Sequence, residues 1–312
     1  MKILLDTDIG SDIDDALALL LLLQLPNIEI VGITTVYGQV SIRAKVAKKI
    51  LCAAQISVPC FAGAAEPLWS PMRIWHSGTE GQGVLDEEEY DAPLEAFDIQ
   101  TGADDFIVET IATNPDEITL ISLGALTNVA QAITKQPNIC NRIKDFYFMG
   151  GGVTYHDPIP SILEEGKPYA ARPSHNVRCD VRAAHIVFES ALPIHILTND
   201  ITTSLWWDGG HVQQLIQCTT PPANMVVGKL LDVWLKYRTK IFRREMTGTC
   251  PHDALTVAEA TGHSFVSNTH GKMTVHGDAS TTFVPSTDGN HLAGTGIDGD
   301  RFLEWFSRHI SQ

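Results

Sequence analysis

Short apolar runs alternate with longer helical patterns along the first two hundred residues. Residues 3–5, 28–36, 117–123, 146–149 and 194–198 are dominated by aliphatic, β-branched or aromatic side chains, and they predict buried strands. A briefer run at 58–62 predicts another. Between them, residues 16–25, 41–52, 104–113, 128–135 and 181–189 carry helical periodicity or unbroken apolarity, with Ser41 as a candidate N-cap. Strand and helix in alternation predict a parallel-dominated sheet with helices on both faces. Beyond residue 200 the pattern turns mostly helical. Residues 223–244 predict a long amphipathic helix whose Trp234, Tyr237 and Phe242 read as core aromatics, and 298–306 predict a closing surface helix. Residues 69–83 and 153–177 lack periodicity, the first reading as a lid-like loop, and 86–98 form an acidic surface run. No repeat or linker divides the chain. The reading is one α/β domain over residues 1–312, with a mixed, mostly parallel central sheet flanked by helices.

The first loop changes this picture from fold to chemistry. Asp6, Asp8, Asp12, Asp14 and Asp15 crowd into ten residues between the first strand and the all-apolar first helix. Ligands of open α/β sheets bind beyond the carboxyl ends of strands. Clustered carboxylates repel and lose hydration there, which a hard cation such as calcium or magnesium between them offsets. Asp12 or Asp14 also fits a plain N-cap, though capping needs one such residue. An EF-hand loop does not fit, because Gly10 is fifth from Asp6 and Leu17 stands twelfth. Further along, His252-Asp253 follows Pro251 at a helix start, so a folded-back Asp253 would complete an oxygen site with His252 beside it as proton donor. His76, in the first irregular loop, is a second imidazole in reach of a ligand. Gly150-Gly151-Gly152 after a strand permits a close backbone approach, whereas Gly294 to Gly299 matches a dinucleotide fingerprint by letters only and reads as a loop.

Composition narrows the partners. With 22 basic and 37 acidic residues, the net charge of -15 opposes nucleic acid and anionic membranes, leaving a small molecule. The six cysteines form no Cys-x-x-Cys pair, so reduced thiols and a cytoplasmic location are expected. The first residues show no basic segment followed by an apolar stretch and a cleavage site, so a chain that is not secreted is expected, and residues 16–25 are too few to span a bilayer.

Taken together, Asp6-Thr7-Asp8-Ile9-Gly10 through Asp14-Asp15-Ala16, Gly124-Ala125-Leu126-Thr127-Asn128, Met149-Gly150-Gly151, Asn176 with Asp180, and His252-Asp253 resemble the inosine-uridine nucleoside hydrolase family over nearly the whole chain. The resemblance implies the nucleoside hydrolase fold and calcium-dependent hydrolysis of the N-glycosidic bond of a ribonucleoside or related N-riboside, in purine or pyrimidine salvage. It implies a calcium ion held by Asp8, Asp15, the backbone carbonyl of Leu123 and Asp253. Asp8 also takes the proton of the attacking water. Asp14, Asn176 and Gln39 fall at ribose-contacting positions, Met149 lines the sugar pocket, and His252, with His76 second, protonates the leaving base. A homodimer or homotetramer is implied as well.

The chain differs from that pattern at three places. Its acidic motif is two residues longer, with Ile9 for proline; Gln39 stands for asparagine; and Ser174 replaces a glutamate that binds the 5′-hydroxyl, a change that would admit a 5′-modified ribose. Two other classes were weighed on the residues. Asp6-x-Asp8 at a strand end is similar to haloacid-dehalogenase-type phosphohydrolases, with Asp6 as nucleophile, and the altered ribose contacts suit a non-catalytic nucleoside or sugar binder.

Overall fold

The computed structural model describes residues 1–155, 159–160 and 163–311. In chain order the first half runs β1 (Lys2–Thr7), α1 (Asp14–Gln24), β2 (Glu29–Thr35), α2 (Val40–Ala53), β3 (Cys60–Ala62), α3 (Glu87–Asp91), β4 (Ile99–Thr101), α4 (Ala103–Thr113), β5 (Ile118–Ser122), α5 (Thr127–Lys135) and β6 (Asp145–Met149). The second half runs β7 (Tyr169–Ala171), α6 (His175–Cys179), α7 (Val181–Phe188), β8 (Ile194–Leu197), α8 (Asn199–Thr202), β9 (Trp207–Asp208), α9 (Gly210–Gln217), α10 (Pro222–Phe242), β10 (Gly248–Thr249), α11 (His252–Ala260), β11 (Val266–Val275), β12 (Thr281–Pro285), β13 (His291–Ile297) and α12 (Gly299–Ile310). Among the described residues eleven strands form one sheet in the order β4-β3-β2-β1-β5-β6-β8-β13-β11-β12-β7. From β4 to β13 neighbours are parallel, and from there to β7 they are antiparallel. This is the mixed, mostly parallel α/β sheet the pattern predicts.

Helix α1 is apolar all round because it is enclosed all round: α2, α10, α11 and α12 pack against it, and Asp14 to Leu22 are all buried. It begins at Asp14, two residues before the apolar run, so Asp14 and Asp15 belong to its first turn. Neither Asp12 nor Asp14 is its N-cap. Ile13 holds that position with no side-chain bond, and Asp12 Oδ1 accepts from the adjacent Ile13 N at 2.6 Å. Ser41 likewise lies inside α2, whose N-cap is Gln39. Register fixes the end of β1. Asp6 faces Thr34 of β2 and Ser122 of β5, and both hydroxyls donate to its carboxylate, with Asn128 Nδ2 of α5 adding a third bond at 2.7 Å. Asp6 is thereby a buried staple of the central strands.

The chain after residue 200 corrects the mostly helical reading. Strands β11, β12 and β13 build the antiparallel edge, and the Gly294–Gly296 stretch taken for a loop is strand β13. Glycine hid them. At Gly271 an added Cβ would lie 2.5 Å from the Phe283 ring across the β11–β12 pair, so the ring fills the space a β-branched residue would announce. The acidic run is surface as expected, but Asp86 caps α3 through a capping box and 94–97 form a 3-10 turn. Within 153–177, β7 and α6 are ordered elements, and the part of that irregular stretch at 156–158 and 161–162 lies outside the described residues. Trp234 is buried, whereas Phe242 at the far end of α10 is exposed. Among the described residues no helix is long and apolar enough to cross a membrane.

Candidate active site

Four central strands, β1, β5, β6 and β8, end at one cavity, which places their carboxyl-end residues around it. The cavity measures ≈ 390 Å³ and is lined by Asp8, Asp12, Asp14 and Asp15 from the first loop and helix, Leu123 after β5, Met149 at the end of β6, and Asn199 after β8. Helix α6 supplies His175, Asn176 and Arg178, α10 supplies Trp234 and Arg238, and α11 supplies His252 and Asp253.

A buried arginine shapes the acidic loop. Arg43 of α2 is 1% exposed and donates to the carbonyls of Asp8, Ile9 and Tyr37 and to Ser11 Oγ. Its hydrogen bonds thus hold the loop in its turn, while its charge opposes part of the burial effect on Asp15. Ser11 Oγ donates onward to Glu80, which also accepts from Ser77 N, so the loop is tied to the 69–83 segment. That segment is anchored again where Asp180, the N-cap of α7, accepts from Leu68 N at 2.6 Å and Trp69 N at 3.2 Å. Asp8 leans on Gly124, where a Cβ would lie 2.9 Å from its Oδ1. Only glycine leaves that carboxylate its place.

Carboxylate oxygens of Asp14, Asp15 and Asp253 lie within 4.8 Å of one another, all three buried. Burial, and then mutual repulsion with Asp8 and Asp12, pushes their carboxyl groups well above the usual range. Burial raises Asp12 to about 7. Thr7 Oγ1 donates to Asp15, fixing one oxygen of that side chain. Asn176 Nδ2 donates to the Leu123 and Met149 carbonyls, which ties the sheet ends to α6. His252 is driven down to about 4, by burial first and the Arg238 charge second, so its imidazole is neutral near pH 7. Its Nδ1 pairs with Thr202 Oγ1 at 2.8 Å, which leaves Nε2 for a ligand.

Of the residues singled out from sequence, the structure gathers Asp8, Asp14, Asp15, Leu123, Met149, Asn176, His252 and Asp253 around one cavity. Asp14, read as a ribose contact, sits within the tight carboxylate trio, and Asp8 stands outside that trio. Two residues lie elsewhere. Gln39 is exposed beside Gly78, Glu80 and Gln82, because the backbone turns away into α2 at that residue. His76 is exposed, with its ring over the Cα of Gly38; from the same loop it is Met72 and Trp75 that reach the cavity. Ser174 is turned inward as the N-cap of α6, accepting from Val177 N and Gly151 N. Sequence reasoning passed over Arg43, Trp75, Arg178, Asn199 and Arg238. Arg43 alone had a signal, a charge on the buried α2 stripe with Ala47 and Ile50. The buried Asp6, outside the cavity lining, is sealed from any phosphoester, which removes the phosphohydrolase nucleophile.

The sequence profile of a family described as inosine-uridine preferring nucleoside hydrolase matches residues 3–304. The inosine-uridine preferring nucleoside hydrolase of Crithidia fasciculata is 32% identical over 266 residues, covering 82% of this chain and 78% of that protein. The pyrimidine-specific ribonucleoside hydrolase RihB of Escherichia coli is 30% identical over 255 residues, 81% of this chain and 76% of that protein. Among solved structures, a purine-preferring ribonucleoside hydrolase from Gardnerella vaginalis superposes with a TM-score of 0.78 at 22% identity, covering 100% of this chain and 98% of that one.

Proposed function

The chain belongs to the inosine-uridine preferring nucleoside hydrolases, which are metal-dependent N-glycosidases, and on that premise we propose that its cavity binds calcium and an N-riboside and cleaves the bond between base and ribose. The observation that carries this reading is the buried trio Asp14, Asp15 and Asp253 at the mouth-end of the central strands. Three shielded, mutually repelling carboxylates make a hard, all-oxygen donor set, which fits calcium better than zinc. Asp8, Asp15, Asp253 and the Leu123 carbonyl would hold the ion, and Asp14 would contact the ribose hydroxyls. When bound, the cation would lower the pKa of water beside it and so favour a nucleophile at neutral pH.

The remaining steps fall to the chain's own groups. Asp8 accepts the proton of the attacking water, and the carboxylate cluster favours the oxocarbenium-like sugar that develops as the bond to the base stretches. Asn176 and Met149 form the sugar floor. The leaving nitrogen gathers negative charge, and His252, oriented by Thr202, meets it through Nε2–H. Since burial keeps this imidazole neutral, it stabilises the departing nitrogen as a hydrogen-bond donor and keeps its own proton, the base being protonated from solvent. His252→Ala should therefore cost about 10²-fold in kcat on purine or pyrimidine ribosides and far less on a nitrophenyl riboside, whose leaving group needs no proton. Equal losses on both would remove its role at the leaving nitrogen.

The reading as a whole is tested by reducing-sugar release from a panel of purine and pyrimidine ribonucleosides, with and without a calcium chelator. Release that the chelator abolishes and calcium restores is expected, and the panel would name the preferred base, on which the relatives differ. Turnover that survives chelation would remove the metal. Tight nucleoside binding without turnover would instead favour the non-catalytic binder. The same family pattern carries a cytoplasmic salvage role and a homodimer or homotetramer; a monomer by light scattering would strike out the last.

A further inference from the structure

Helix α10 holds an arginine in the cavity wall by its faces alone. Trp234, Arg238 and Phe242 stand four residues apart on one stripe of that helix, and the Arg238 guanidinium lies over both rings, 5.1 Å from the Trp234 centroid and 4.4 Å from that of Phe242. Its N–H edge stays free. Among the described residues this guanidinium forms no ion pair and no hydrogen bond. Stacking does not require that, for Arg301 lies over the Phe265 ring at 4.9 Å and still pairs with Asp298 and donates to the Ser264 carbonyl.

Two cations line the cavity, and their charges reach different groups. Arg178 acts on His175 and Cys179 of its own helix, α6. Arg238 acts on His252 and on Asp12, with which it forms no ion pair. His252 in turn keeps its Nδ1 on Thr202 and has Nε2 to offer. An unpaired guanidinium edge and an open imidazole nitrogen therefore serve one part of the cavity, the part proposed for the base. Five aspartates line the same cavity. A base that leaves with the electrons of its bond is repelled by them, and neutral His252 gives it a hydrogen bond but no countercharge.

We propose that Arg238 is a catalytic residue of the hydrolysis, its N–H edge bearing on the base and offsetting the negative charge that gathers there as the N-glycosidic bond breaks. The inference rests on the hydrolase reading above and adds a group to it. The water oxygen bonds to C1′, Asp8 takes a proton of that water, and the electron pair of the broken bond stays on the base nitrogen. The base leaves as an anion beside Arg238 and takes its proton from solvent. A fixed cation suits this step because it is in place before the charge develops, and the rings hold it there without using a donor.

The test compares kcat/KM of the calcium-loaded full chain on two pairs of ribosides. Uridine is set against 5-nitrouridine, whose nitro group carries the charge itself, and inosine against 7-methylinosine, whose base leaves uncharged. Arg238→Met, which keeps an apolar stem between the rings, is expected to lose about 10²-fold on uridine or inosine and under about threefold on the other member of the pair. Arg238→Lys should recover part of the loss. A readout apart from turnover is the ultraviolet titration of a free base that ionises in mildly acidic to neutral solution, 5-nitrouracil or xanthine. Bound to the protein it should ionise about one pH unit lower than in water, an effect that Arg238→Met removes and His252→Ala retains. Thermal unfolding checks that each variant is folded. Equal losses on both members of a pair, or a bound base whose ionisation Arg238→Met leaves in place, overturns the proposal and leaves the hydrolase reading standing. An effect on the bound base that disappears with His252 overturns it as well, since Arg238 would then act only through the imidazole. No sugar released from any of the four ribosides brings down the hydrolase reading and this inference with it.

Discussion

Asp8→Asn should lower kcat about 10³-fold at saturating calcium while leaving the fold intact. The size follows from the loss of a positioned general base, an effect that spans roughly 10²–10⁴-fold. Asparagine keeps the volume of the side chain against Gly124, and it leaves untouched the Asp8 carbonyl that Arg43 holds. Packing and loop geometry therefore survive the change. Because the substitution also removes a proposed calcium ligand, the assay must be run at several calcium concentrations, with binding followed by calorimetry. A deficit that calcium alone repairs would make Asp8 a ligand and no base; kcat within about threefold of the unchanged protein at every calcium concentration would refute both roles.

The reach of the sequence can be judged element by element. Strands β1, β2, β5, β6 and β8 were legible because each is buried on both faces and written as an apolar run, the signature of a parallel sheet covered by helices. Strands β11 and β13 were not, because β11 mixes exposed polar positions with Gly271 under the Phe283 ring, and β13 carries Gly294, whose space is filled by the Ile201 and Val266 side chains. The site divides the same way. Carboxylates clustered in one loop announce themselves, and His252-Asp253 at a proline-led helix start could be joined to them. Arg178, Asn199 and Trp75 could not, since each is an ordinary residue in its own segment and becomes a wall of the site only when α6, α8 and the 69–83 segment converge. Gln39 and His76 show the converse. Proximity in sequence to a strand end or a loop did not bring their side chains to the cavity, because the backbone around them turns elsewhere.

Withdrawal of calcium should destabilise the protein, and more so as pH rises. In the metal-free protein the carboxyl groups of Asp14, Asp15 and Asp253 are held well above their ordinary range by burial and by one another, and burial holds Asp6 and Asp12 near 7. A carboxyl whose folded value exceeds its unfolded one favours the folded state while protonated. That contribution is fully present below the unfolded value of about 3.9 and is lost as pH climbs through the folded values. The window thus opens near pH 4 and reaches about 7 for Asp6 and Asp12, with the trio also titrating well above the ordinary carboxyl range. Calcium held by Asp15 and Asp253 beside Asp14 would favour the ionised carboxylates and release their protons, so its stabilisation should grow over the same range. At one hundred times its dissociation constant the ion adds about 2.7 kcal/mol, which for a chain of this size is about 4 °C in Tm. Thermal scans at pH 5.5 and 8.0, in chelator and in calcium, should show a chelated Tm that falls with pH and a calcium increment larger at pH 8.0. General charge repulsion at a net charge of -15 also lowers Tm with pH, so Asp253→Asn is the control. Removing one buried charge and one proposed ligand should raise the chelated Tm at pH 8.0 above that of the unchanged protein and abolish the calcium increment. An unchanged increment in that variant would place the ion elsewhere and detach the carboxylate trio from metal binding.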